Sequence, residues 1–568
     1  MVRMRIRDIL LVAVICAMFL GAPANASEDI SVSAPKSSLD LIQADYQSGI
    51  ITQSEKLVNE VVAVFAPDKL ADKYRTDQMT LIKSGTELAI EIKDNWSLFD
   101  SDQQAALSAM LFRPSMDNQF TSPSGRFRIH YDTTGIEPVP TLDSDEDGIP
   151  DFVERIALYS DSAATVYHDI LGYLPVVIDT AGGNSAYDLF LVSIAAYGAT
   201  IPEFPGDSSW NDYGAYTMIH RNFYGFLPND DPEGDTIGAM KVTCAHEYFH
   251  AVQLAYDYDA SNNLWWMEET ATAMEEYIFP EVNDNLNYLP YFFNYPARSL
   301  RSTVNYHMYG AFIWPLYLTN RFDESIVKHS WEACRNNLPE IAIDSALAPF
   351  GFTTAGVFND FVSENYFTGD RAKITSFYSD APDYPEIVLD QSFTGVRLDS
   401  IQPVTRPDGL GANYIELTVD STDQGIIEFD LEGSDLVRWG LSAIFITDTF
   451  DTTVESVSGW GNPVHLYFPF VEDYDKIIVA PAVVSKYLTA NNYHLTVNLQ
   501  PYGDANFDRT VNIGDAIYIV NYVFNGGAGP KPLKESGDAN CDGSVNIGDA
   551  VSLVNYIFNG GNAPCSNR

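Results

Sequence analysis

"CAHEYFHAVQLAYDYDASNNLWWMEETATAMEEY", Cys244 to Tyr277, carries two histidines four residues apart, with a glutamate directly after the first. The flanking "MKVTCAHEYFHAVQLAYD" has helical periodicity. Positions i and i+4 share a helix face, so His246 and His250 can reach one cation with Glu247 beside its bound water. The polar stretch "DYDASNN" is placed to turn the chain back into a second helix. Eighteen residues separate His250 from Glu269 on that helix. Glu269 would complete a two-His, one-Glu zinc set with the fourth position open, the donor pattern of a catalytic site. One catalytic zinc ion is therefore expected, with Glu247 as general base.

Residues 266–276, "WMEETATAMEE", resemble the W-x-x-E-G-x-A-x-x-x-E signature of gluzincin metallopeptidases, particularly the zinc aminopeptidases. The resemblance implies Trp266 three before the ligand, Glu269 on zinc, Thr270 in the glycine position and Glu276 orienting a zinc histidine. Glu268 and Glu275 are left as surface or cleft lining. Downstream, "NYHMYGAFIWPLY" resembles the Y-x-x-G-A stretch in which those enzymes hold a transition-state tyrosine. Here His307 stands three before Gly310, with Tyr306 and Tyr309 flanking it, so His307 and Tyr309 are equal candidates to stabilise an oxyanion. Over roughly residues 40–375 the order of motifs resembles a group of secreted bacterial metalloproteases. That resemblance implies an α+β zincin-like domain, a twisted sheet over the active-site helix. "AYDLFLV" is then a candidate edge strand for an extended peptide.

"DSDEDGIPDFVE" sets Asp143, Asp145, Asp147, Asp151 and Glu154 at loop positions 1, 3, 5, 9 and 12, with Gly148 at the sharp turn and the Ile149 carbonyl at position 7. Alternating oxygen donors of this kind wrap a calcium ion. A repeat with a 34-residue offset closes the chain: "GDANFDRTVNIGDAIYIVNYVFNGG" and "GDANCDGSVNIGDAVSLVNYIFNGG". It offers Asp504, Asn506, Asp508, Asn512 and Asp515, then Asp538, Asn540, Asp542, Asn546 and Asp549. Each loop feeds an apolar helix. The duplicated unit resembles a dockerin type I module, which implies calcium-dependent folding and a cohesin-like or cell-surface receptor. Up to three structural calcium ions are expected in all. Arg509 replaces the glycine of the first loop, and Ile-Gly pairs stand where dockerins often carry recognition hydroxyls.

The chain has 568 residues and a net charge of −46, a length that calls for several domains. Arg3, Arg5 and Arg7, an apolar run to Leu20 and Ala24-Asn25-Ala26 read as a signal peptide over residues 1–26. Losing its three Arg and one Asp leaves −48, a charge that repels nucleic acid and anionic membranes. No later apolar run is long enough for a membrane span. The expected divisions are a helical region or propeptide at 27–120, the zincin-like domain at 121–378, a β-sandwich at 379–500, and the dockerin-like α domain at 501–568. The sandwich rests on short runs such as "GIIEFDL" and "KIIVAPAVV" between Gly, Asp and Asn. In an exported chain, Cys541 and Cys565 are expected to form a disulfide, with Cys244 and Cys334 either a second bridge or buried thiols. These features favour a secreted or cell-surface-attached zinc endopeptidase acting on protein or peptide substrates. An aminopeptidase and a catalytically inactive calcium-dependent adhesion or scaffold protein are the alternatives. Absence of a G-x-M-E-N-like element before the zinc helix disfavours the aminopeptidase.

Overall fold

The computed structural model describes residues 37–76, 82–135, 138–177, 185–460 and 463–566. The expected signal peptide lies outside these residues. Four early helices are α1 (Ser38–Gln47), α2 (Gln53–Phe65), α3 (Thr86–Asp94) and α4 (Ser101–Leu111). Ser37, Thr52 and Asp100 open α1, α2 and α4 with reciprocal capping boxes, which satisfy otherwise orphaned N–H groups. Between α2 and α3 runs a short strand, β1 (Ile82–Ser84).

That strand joins β2 (Asn118–Thr121), β3 (Phe127–Tyr131), β4 (Tyr187–Val192), β5 (Ala196–Pro205) and β6 (Tyr213–His220) in one six-stranded sheet of order β1-β5-β6-β4-β3-β2. β1 runs parallel to β5, with Ile82 opposite Ala196 and Ser84 opposite Gly198. β5 is antiparallel to β6, while β6, β4 and β3 are mutually parallel. On one face lie α5 (Asp151–Ala164) and α6 (Asp235–Leu254), followed by α7 (Ala260–Ile278) packed on α6. Ile156, Val242 and Phe249 share a core there with Ile129, Leu189 and Ile219. The other face is covered by the N-terminal helices, whose Leu57, Val61, Phe65 and Ile92 pack against Phe190, Ala199, Ile201 and Met218.

The expectation that "AYDLFLV" forms an edge is corrected here. Its strand β4 is bonded to β3 on one side and β6 on the other, and every residue of it is buried. Its run is apolar but for Asp188, whose buried carboxylate is paired with Arg113 and His130, and that pattern suits an interior strand covered on both faces.

The helical part is completed by α8 (Pro290–Phe293), α9 (His307–Gly310), α10 (Ile313–Arg321), α11 (Ile326–Cys334), α12 (Pro339–Leu347) and α13 (Thr354–Glu364). Two further sheets follow. One has β13 (Thr452–Trp460), β12 (Arg438–Ile446), β15 (Lys476–Val483), β10 (Ile415–Thr418) and β7 (Gln391–Thr394) in that order, with β9 (Gly411–Ala412) on β15. The other runs β14 (Val464–Phe468), β11 (Ile426–Gly433), β16 (Tyr493–Gln500) and β8 (Leu398–Ile401). Phe429, Trp439, Leu441, Phe445, Val479 and Leu495 fill the space between them. The outer face of the first sheet is buried too. Ile444 and Ile478 join the same core as Val357 and Phe361 of α13, and Tyr414 donates from its hydroxyl to the Val362 carbonyl at 2.7 Å. The chain ends with α14 (Ile513–Asn525) and α15 (Ile547–Asn559), packed on each other. No single helix among the described residues is long and apolar enough to cross a membrane.

Candidate metal centre

α6 is buried along nearly its whole length, including His246, Glu247 and His250. A helix apolar all round belongs inside a core, so charged side chains on it need partners. His246 Nδ1 bonds Glu275 Oε1 at 2.7 Å, and His250 Nδ1 bonds Gln253 Oε1 at 2.8 Å. Gln253 is fixed in turn by donating to the Met267 carbonyl at 2.8 Å. With both Nδ1 atoms engaged, the two Nε2 atoms converge on one carboxylate, that of Glu268. His246 Nε2 lies 3.1 Å from its Oε2, and His250 Nε2 lies 3.5 Å from its Oε1.

His246, His250 and Glu268 thus offer three ligand atoms within 4.8 Å of one another, all from buried residues. Three polar atoms at this cluster and on the neighbouring Glu247 are orphaned. His250 Nε2, Glu268 Oε1 and Glu247 Oε1 are buried without a hydrogen-bond partner. Buried polar atoms left unmatched are costly, and two imidazoles with one carboxylate are the donor types of a zinc site. The residues fit the ion. Without it, burial pulls the His246 imidazolium down, but bonds to Glu268 and Glu275 prevail and raise it to about 9. Burial pushes Glu268 up, yet the charges of His250 and His246 hold it well below the usual carboxylate range.

Two residues of the expected site are displaced by one position. Glu269 is fully buried, but both its oxygens lack partners and it stands outside the His–His–Glu cluster. Burial alone raises its carboxyl far above normal. Glu276 accepts from Asn285 Nδ2 at 2.8 Å and burial raises it to about 7; the carboxylate on His246 is Glu275. Nor are Glu268 and Glu275 surface residues, being 0% and 1% exposed. The doublets Trp265-Trp266, Glu268-Glu269 and Glu275-Glu276 allow the signature to be laid down in two registers. Placing Trp265, Glu268, Ala271 and Glu275 on the signature leaves a single departure, Glu269 in the glycine position.

Glu247 is 1% exposed. Its Oε2 lies 3.0 Å from the hydroxyls of both Thr86 and Thr200. Strand β5 passes so close that a Cβ on Gly198 would sit 2.6 Å from Glu247 Cγ, which only glycine avoids. Behind Glu275 stands Lys83 of β1, 2% exposed, donating to Glu275 Oε2 at 2.8 Å and to Asp284. Burial lowers Lys83, but Asp284 and Glu275 outweigh it and keep the ammonium charged. Sequence reasoning passed over Lys83, Thr86, Thr200 and Gln253. Only Gln253, three residues after His250, had a local signal in its helical spacing.

The structure separates His307 from Tyr309. Tyr309 has its ring 6.3 Å from that of His246, and its burial, reinforced by the Glu268 charge, raises its hydroxyl pKa far above normal. His307 turns away, bonding the Tyr291 carbonyl through Nδ1 at 2.9 Å, and burial lowers it to about 4.

The three acidic loops are folded around their own backbone. Asp143 accepts from the Asp147 and Gly148 amides at 3.2 and 2.9 Å, and Asp143, Asp145 and Asp147 gather in one group. Ile149 donates its amide to Asp147 at 2.8 Å, Asp151 accepts from Ser144 at 2.7 Å, and Glu154 is raised first by burial and then by the neighbouring Asp charges. In the repeat, Asp504 and Asp538 accept from the amides of Arg509 and Gly543 at 2.7 and 2.8 Å. Arg509 adopts the left-handed conformation, φ 66°, that Gly543 takes with φ 83°, at a steric cost that glycine avoids. Asp508 and Asp542 receive the Thr510 and Ser544 amides. Asp515 and Asp549 each accept from two loop amides, those of Asn506 and Asn512 and of Asn540 and Asn546. Asn512 and Asn546 serve as N-caps of α14 and α15. Cys541 and Cys565 are bonded. The alternative second bridge is not formed: Cys244 and Cys334 are free thiols, each buried in a different helix.

Residues 502–561 match the family model described as "Dockerin type I domain". The C-terminal module is therefore a dockerin type I domain, a class that binds calcium and cohesins in extracellular assemblies. No curated protein matches the chain. Among solved structures, the pre-peptidase C-terminal domain of collagenase from Bacillus anthracis matches at 12% identity over 20% of this chain and 100% of that one, with a TM-score of 0.15. The enzymatically active domain of bacteriophage CBA120 tailspike protein 4 matches at 14% identity over 18% and 15%, with a TM-score of 0.14. At those scores neither likeness bears on fold or activity.

Proposed function

We propose that the chain is a secreted zinc-dependent peptidase of zincin type, carried to an extracellular assembly by its dockerin domain. The observation that carries this reading is the convergence of His246 Nε2, His250 Nε2 and the Glu268 carboxylate in a buried site, with His250 Nε2 and Glu268 Oε1 both orphaned and 3.5 Å apart. His246, His250 and Glu268 would hold the ion. When bound, zinc supplies Lewis acidity that makes a water ionisable near neutral pH and polarises the scissile carbonyl.

The remaining work falls to the chain. Glu247 keeps Oε2 on the two threonine hydroxyls and has Oε1 free to take the proton of the attacking water. The same oxygen returns it to the leaving amine. Tyr309 is the nearer candidate to donate to the developing oxyanion. Glu275 and Gln253 fix both imidazoles with Nε2 facing the ion. A cavity of about 630 Å³ lined by Glu87, Ile90, Glu91, Asp94, Leu264 and Trp265 adjoins α7 one turn before Glu268. Glu247→Ala in the purified protein is the test. Expected are zinc near one per chain and loss of hydrolysis of a mixed peptide library; unchanged hydrolysis, or a wild type without zinc, overturns the reading.

A further inference from the structure

The first hundred or so residues of the mature chain could be a detachable segment or a working part of the centre, and the contacts of β1 and α3 decide between them. Thr86 is placed so that its single hydroxyl proton has one destination. Its oxygen accepts from Ser84 Oγ at 2.9 Å and from the Thr200 amide at 2.8 Å, which leaves the proton for Glu247 Oε2 at 3.0 Å. A blocking segment would occupy the reactive oxygen, whereas Glu247 Oε1 is left without a partner. Three residues earlier, Lys83 holds the Glu275 oxygen that His246 does not use. It is locked there by Asp284, which also accepts from the Tyr197 hydroxyl at 3.0 Å, and by the faces of Tyr197 and Tyr288. The register Ile82–Ala196 and Ser84–Gly198 delivers both side chains by tying β1 to β5. The helices on either side of β1 bury one face of the sheet.

We infer that Lys83 and Thr86 are positioning residues of the metal centre, Lys83 acting through Glu275 on His246 and Thr86 acting on Glu247, so that the N-terminal region is retained in the active protein. This rests on the peptidase reading. Lys83 holds Glu275 in the orientation that presents the His246 Nε2 lone pair, and Thr86 fixes which carboxylate oxygen of Glu247 faces the water.

The experiment measures zinc affinity by chelator competition together with kcat and KM, and the intact mass of the active species. Lys83→Met is expected to weaken zinc binding 10- to 100-fold, the usual cost of losing a group that orients a ligand, with Lys83→Arg recovering most of it. Because an unpaired Asp284 could unfold Lys83→Met, the double variant Lys83→Met/Asp284→Asn is measured beside it, with the same expectation. Thr86→Val should keep zinc affinity and lower kcat on the order of 10-fold at unchanged KM, with Thr86→Ser near wild type. The active species should contain residues 82–86. Wild-type zinc affinity in Lys83→Met and in Lys83→Met/Asp284→Asn, wild-type kcat in Thr86→Val, or an active species that begins after Leu111 overturns the inference while the peptidase reading stands. A wild-type chain that binds no zinc overturns both.

Discussion

In the C-terminal module each set of oxygens comes from twelve successive residues, Asp504 to Asp515 and Asp538 to Asp549. The buried centre is assembled instead from β1, α3, β5, α6 and α7, with Lys83 and Glu275 bonded across 192 positions of sequence. The loops hold their carboxylates by local amide bonds that the backbone supplies at fixed offsets. The candidate centre holds its own by packing, with His246, His250 and Glu268 each 1% exposed or less. A loop of the first kind reports its ligands by spacing alone. A site of the second kind is specified by which side of a helix the core claims, and one residue of slip moves a side chain about 100° around the axis.

The sharpest way to break this contrast is to exchange neighbours. Glu268→Gln is expected to abolish stoichiometric zinc after dialysis, while Glu269→Gln keeps it near one per chain. The opposite result would restore the register that places Glu269 on the ion. Next in size, calcium chelation should collapse hydrogen-exchange protection over residues 502–561 and leave α6 protected, because the module's own core is small, built on Ala505, Ala516, Ile519, Ala539, Ala550 and Leu553. Equal loss in both regions would show the two kinds of site to be one cooperative unit. Tyr309→Phe should lower kcat on the order of 10²-fold, with His307→Phe sparing kcat in any variant that folds. Glu275→Gln should weaken zinc affinity about 10- to 100-fold, and Glu276→Gln should not change it.

The smallest effect is on stability. Burial raises Glu276 from 4.5 to about 7. Below pH 4.5 it is protonated folded or unfolded. Between about 4.5 and 7 the unfolded chain ionises it while the folded chain keeps the proton, so stability falls with rising pH and then levels. Chemical denaturation should show that decline reduced in Glu276→Gln, by at most about 3 kcal/mol.

His246, Glu247, His250 and the loop acids were legible because their chemistry lies within one or two helical turns. Glu268 was not, because three doublets in a row admit two registers, and what decides between them is that the Glu268 carboxylate, not that of Glu269, meets both imidazoles in the folded core. Lys83 and Thr86 were out of reach for a different reason. They lie in an unremarkable polar stretch, and only the parallel pairing of β1 with β5 brings them to the centre. In the sandwich the alternating runs of β11 and β16 were readable as strands, but the burial of the outer sheet face against α13 was not. Apolar residues on both sides of a strand do not say what covers them.

Only Pro501 separates the end of β16 from Tyr502. Tyr502 donates to Glu472 of the sandwich at 2.8 Å, the ring of Phe507 meets Tyr467 at 6.1 Å, and Arg509 lies 3.5 Å from Glu428. The sandwich in turn is bolted to the body by Tyr414 and by Lys486, which bonds Asp344 at 2.5 Å. The sandwich therefore behaves as a bracket rather than a tether. A partner that held the last module would also set the bearing of the candidate metal centre, and a hinge spliced in at Pro501 would uncouple the two.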